Sequence, residues 1–186
     1  GSKARSSFAN LYALYVLVED YITCGYHKKQ GYADYEGAKF AVIFRRQREL
    51  PFGNKLQNHA LNHRMNQEFR KFFPQVDAQP ILHVVDTKRY WINEKLLILT
   101  IDKKKINLAS VIIEIIDAYI DTKQKSFTGF IQTCEKMKKM AHANAETAKE
   151  FILGLLAPNV DARVFEIVSY AILKYFYHDQ TIYFGF

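Results

Sequence analysis

Proline and glycine are scarce in this chain of 186 residues, at 4 and 8. That disfavours an all-β fold, which needs many tight turns. Cysteine is rarer: Cys24 and Cys134 stand far apart. Such spacing offers neither a disulfide framework nor a metal knuckle, and two free thiols fit a reducing, cytoplasmic setting. No apolar run reaches membrane-span length, because Glu114 interrupts the densest stretch, Ser110–Ile116, and Asp117 follows it. There is no secretory signal, no glycine-rich phosphate loop, no dinucleotide fingerprint and no defensible Ser/His/Asp series.

What is present is hydrophobic and basic. Hydrophobic residues make up 49% and aromatic residues 15%, enough for a substantial core. Net charge is +7 and the pI is near 9.3, which fits an anionic partner, nucleic acid before membrane. The charge is concentrated. Lys39–Lys71 holds eight basic residues (Lys39, Arg45, Arg46, Arg48, Lys55, Arg64, Arg70, Lys71) against Glu49 and Glu68. The same stretch carries Gln47, Gln57, Asn58, His59, Asn62, His63, Asn66 and Gln67. Arginine, asparagine and glutamine are the side chains that read base edges, and lysine and arginine grip phosphates. We expect Gln57, Asn58, His59, Asn62 and Arg64 to read bases. Arg45, Arg46, Arg48, Lys55, Arg70 and Lys71 are expected on phosphates. A solvated helix face is the competing explanation for such a run.

Periodicity predicts a mainly α fold with a few short strands. A helix capped by Ser6 or Ser7 runs to about Thr23, with Phe8, Leu11, Tyr12, Leu14, Tyr15, Leu17, Val18 and Tyr21 as its apolar set. Further helices are expected over 37–50 and 56–73, joined by the Pro51-Phe52-Gly53-Asn54 turn in helix-turn-helix outline. Basic residues ending the first of these also suit the helix dipole. The second places Leu61, Met65, Phe69 and Phe72 on one face and its amides largely on the others. Strands are expected at 81–85 and 89–92, while 96–101 reads as strand or helix. Asn107 caps a helix through Ile120; others cover 126–140, 145–156 and 162–177, and 181–186 is strand-like.

Other constellations are weaker. His59 and His63 share a helix face but lack the further ligands that zinc needs. Asp86 with Asp102 and Lys104 imitates a nuclease pattern in which carboxylates hold Mg²⁺ and a lysine orients water. Asp102 before three lysines also reads as a solvated turn. Glu166 lies in an apolar helix, where it must be paired or must ligate something; Arg163 and Lys174 are the simple partners.

Three segments resemble a group of bacterial Type II restriction endonucleases: 2–21, 50–64 and 162–174, with Leu50-Pro-Phe-Gly-Asn-Lys-Leu-Gln-Asn-His-Ala-Leu-Asn-His-Arg64 the most specific. The resemblance implies sequence-specific binding of double-stranded DNA, a possible homodimer, and Mg²⁺ for the full-length nuclease. It implies that 163–174 is the first helix of a PD-(D/E)XK core, with Glu166 beside the metal site, and that 181–186 is the first core strand. The defining aspartate and (D/E)-x-K would lie past Phe186, leaving the fragment inactive and making the D-x-K at Asp102 a coincidence. Gly1-Ser2 reads as a tag remnant, 3–143 as the helical recognition region, and 144–186 as a linker helix plus the start of the nuclease core.

Overall fold

A computed structural model of the chain describes residues 2–29, 31–55, 63–139, 144–155, 162–178 and 181. The fold is mainly α with a few short antiparallel strands, 63% helical. The chain divides into two compact units, Ser2–Lys123 and Gln124–Phe186. The division falls within a helix, ahead of the 143/144 boundary expected from the sequence.

The first unit is built around helix α1 (Ser2–Thr23). Tyr12, Ala13, Val16, Leu17, Val18 and Tyr21 are all buried, so the helix is covered on most sides, as its nearly continuous apolar sequence requires. It begins at Ser2, before the expected serine caps, because Lys3, Ala4 and Arg5 are strong helix formers. Helices α2 (Phe40–Glu49) and α3 (His63–Phe72) pack on α1. So does a three-stranded sheet in the order β1 (Ala38–Lys39), β3 (Arg89–Ile92), β2 (Ile81–Val84). Its register pairs Ile81 with Ile92, and both are buried. β1 was not foreseen: Ala38 and Lys39 pair with Tyr90 and Arg89 before the chain turns into α2. Gly37 allows that approach, since a Cβ there would meet the Tyr90 carbonyl oxygen at 2.5 Å.

A 3₁₀ turn (Glu94–Leu96) leads to a separate hairpin, β4 (Ile98–Ile101) and β5 (Lys104–Asn107). Helix α4 (Ala109–Lys139) follows, with the Asn107 carboxamide oxygen accepting from the Ala109 N–H at 2.9 Å. It is continuous where two helices were expected. Residues 121–125 are polar but contain neither glycine nor proline, so nothing breaks the helix. The second unit holds the rest of α4, α5 (Ala145–Leu155) and α6 (Ala162–Phe176). Asn144 caps α5 by accepting from the Thr147 N–H at 2.9 Å. The expected strand at 181–186 lies outside the described residues apart from Thr181.

Buried tyrosines make the stability of the first unit sensitive to alkaline pH. Burial, the largest cause, pushes Tyr12, Tyr15, Tyr21 and Tyr26 up to about 12. Nearby carboxylates add to it: Asp117 at Tyr15 and Glu94 at Tyr21. The unfolded chain releases these protons near 10, before the folded chain does. Stability from these groups is therefore intact below about pH 10 and is lost as pH rises toward 12. Thermal melts followed by circular dichroism should show a melting temperature that drops over that window; an unchanged value at pH 11 would contradict the burial.

Candidate nucleic-acid interface

α2 turns Ile43 and Gln47 inward, four residues apart, and both are buried. Gln47 is thus a core residue, despite lying in the amide-rich stretch. The three arginines then diverge. Arg46 reaches back to α1, with Nε donating to Glu19 Oε2 at 2.7 Å and Nη2 to Oε1 at 2.8 Å. A longer contact of 3.4 Å joins it to Glu49. This two-pronged pairing accounts for Arg46 as a clamp between helices, with its charge already neutralised. Arg48 lies over the Phe44 ring, 5.4 Å from its centre, and donates to the Asn54 carbonyl at 2.8 Å. Its positive charge meets no carboxylate among the described residues. Arg45 is exposed and makes no described ion pair.

The turn after α2 is bolted to the core. Tyr12 donates its hydroxyl hydrogen to the Pro51 carbonyl at 2.6 Å, and the Phe52 ring sits 5.6 Å from that of Phe8. Gly53 is buried so closely against α2 that a Cβ would lie 1.9 Å from the Gln47 carbonyl oxygen. We expect Gly53→Ala to cost roughly 2–3 kcal/mol of stability through overpacking. Denaturant titration measures it, and a loss below about 0.5 kcal/mol, the usual range of a surface change, would refute the packing. The turn sets the backbone of the Gly53–Lys55 segment; the expected base readers Gln57, Asn58, His59 and Asn62 lie outside the described residues.

In α3, Asn66 is 9% exposed. Its Nδ2 donates to the Ile81 carbonyl at 2.9 Å and to Gln79 Oε1 at 3.1 Å, while its Oδ1 accepts from the Ile81 N–H at 3.0 Å. Asn66 therefore ties α3 to β2, a role that its expected position off the apolar face does not announce. Phe72, expected on one face with Leu61, Met65 and Phe69, is 74% exposed. Arg64 and Lys71 are exposed and, seven residues apart, share the face opposite Asn66. Lys71 pairs with Glu68 at 2.8 Å and holds that carboxyl below its usual range. Arg70 is exposed and unpaired among the described residues. α2 and α3 dock principally on α1, whereas a helix-turn-helix packs its two helices on each other.

The two nuclease-like aspartates fall in different hairpins. Asp86 sits in the β2–β3 turn and Asp102 in the β4–β5 turn, tips of hairpins in different sheets, with Lys104 opening β5. Glu166 is exposed on α6 and has no described ion-pair partner; the nearby Lys174 ammonium lies over Tyr170 instead. Among the described residues, no three His, Cys, Asp or Glu side chains converge on a possible metal position. No described helix is long and apolar enough to cross a membrane. No protein-family model matches the chain, and no match was found among curated proteins or solved structures.

Proposed function

We propose that this chain binds double-stranded DNA sequence-specifically, as the N-terminal part of a cytoplasmic Type II restriction endonuclease. Phosphodiester hydrolysis would belong to the full-length protein and its Mg²⁺. One observation carries the reading. The described parts of the basic segment, 39–55 and 63–71, are anchored in the fold: Ile43 and Gln47 are buried, Gly53 packs against α2 and Asn66 ties α3 to β2, while Arg45, Arg48, Arg64 and Arg70 are exposed without a described ion pair. Exposed arginines on a packed support, of which Arg64 lies in the field of a carboxylate, Glu68, suit phosphate and base-edge contacts. The resemblance of 50–64 to restriction endonucleases supplies the class.

The described residues do not fit a Mg²⁺ site, so no catalytic step is assigned to Asp86, Asp102, Lys104 or Glu166. Selection from a pool of random duplexes tests the reading: recovery of one preferred sequence supports it, and a pool unchanged after repeated rounds overturns the specificity. A protein-interaction or dimerisation domain is the second reading. It is favoured by the aromatic surface of α6, where Phe165, Tyr175 and Phe176 are exposed. Self-association without salt-dependent DNA binding would select it.

A further inference from the structure

β4 and β5 pair only with each other among the described strands. Ile101 faces Lys104 in the register, so Asp102 and Lys103 alone make the turn, with φ of 49° and 63°. Positive φ at both positions defines the turn whose twist suits a hairpin, usually made with Asn-Gly.

The root of this hairpin is fixed. Leu97 and Ala109, which flank it, are buried, and the Leu108 N–H donates to the Leu97 carbonyl at 2.8 Å. Asn107 Nδ2 donates to the Tyr21 hydroxyl at 3.0 Å, and that hydroxyl donates to Glu94. Past this half-buried network both strands are largely exposed. Leu99, Ile101 and Ile106 are 46%, 52% and 43% exposed. The register puts Leu99 opposite Ile106 and Ile101 opposite Lys104, so these four share one face. Lys105, opposite Thr100, takes the other face, and Lys103 the tip. None of the three lysines makes a described ion pair.

Lysines on a hairpin edge can serve only to block strand pairing between molecules. That role leaves the aliphatic patch beside Lys104 unexplained. We propose that β4–β5 is a second DNA contact, a two-stranded ribbon that enters a groove of the duplex. The inference rests on the DNA-binding reading above. The major groove is wide enough for such a ribbon. Lysines on opposite faces and at the tip meet phosphates on both walls of a groove, while the aliphatic side chains lie against sugars and thymine methyls. A lipid surface suits this arrangement less, because it would take the apolar face and bring the charge of Lys104 with it.

The test uses the full chain and a short random duplex in fluorescence anisotropy across a salt series. Lys103→Ala/Lys104→Ala/Lys105→Ala should lower the log–log salt slope by about 2–3 units. Lys103→Arg/Lys104→Arg/Lys105→Arg should retain it. Leu99→Ser/Ile106→Ser should weaken binding with the slope unchanged. Melts by circular dichroism confirm that each variant is folded. Salt-dependent binding by the wild type with an unaltered slope in the triple-alanine variant overturns the hairpin contact and leaves the DNA reading standing. No duplex binding by the wild type overturns both. Wild-type binding to phosphatidylserine vesicles but not to duplex, lost in the triple-alanine variant, overturns the proposal in favour of a lipid surface.

Discussion

Asn66→Leu is expected to destabilise the protein by about 3 kcal/mol, although the substitution exchanges a polar residue for an apolar one of similar size. The asparagine carboxamide satisfies both the N–H and the carbonyl of Ile81, and Ile81 is itself fully buried in β2. Leucine leaves both backbone groups without a partner, and water cannot reach them at that depth. Gln79 loses a contact as well. The cost is the desolvation of unpaired groups rather than the worth of the bonds alone. Asn66→Asp should keep the acceptor for the Ile81 N–H but lose the donor, and should fall between wild type and leucine. Urea unfolding followed by fluorescence of Trp91, the neighbour of Ile92 in β3, reads the series. Equal stability of wild type and Asn66→Leu would remove Asn66 from its structural role and return it to the surface.

Charge reversal at Arg45 and Arg64 together should weaken duplex binding at moderate salt by roughly 100-fold, since two contacts become repulsions. Both side chains are exposed and form no ion pair among the described residues, and Arg64 meets Glu68 only through an exposed, weak interaction, so the melting temperature should hardly move. Arg46→Ala should behave in the opposite way. It should cost about 1 kcal/mol of stability, because the pairing with Glu19 is two-pronged but partly exposed, and should leave the salt slope unchanged. Arg45 and Arg46 are adjacent in sequence, so the comparison separates phosphate contact from helix clamping at almost fixed position. A slope change for Arg46→Ala as large as that for the double reversal would mean that Arg46 leaves Glu19 to meet DNA.

This contrast shows where the sequence was readable. The apolar repeat of α1, the strands at 81–84 and 89–92 and the Asn107 cap follow local rules, and all are present. Features that depend on distant partners were not legible. Arg46 and Glu19 are 27 positions apart, and Asn66 and Ile81 are 15 apart. No local pattern distinguishes a clamped arginine from a free one, or an asparagine that binds backbone from one that faces solvent. β1 was hidden because two residues cannot show alternation. The β4–β5 turn lacks the Asn-Gly that usually announces such a hairpin, and its three lysines resembled a simple stop. In the basic segment the sequence displayed total charge, while the structure sorted that charge into paired and unpaired members.

The most direct measurement is fluorescence-anisotropy binding of the wild-type chain to a pool of random duplexes, from low to moderate salt. Affinity falling linearly with salt on logarithmic axes, with a slope of several units, is the result that DNA binding through the exposed arginines and lysines predicts. No binding at low salt would contradict it.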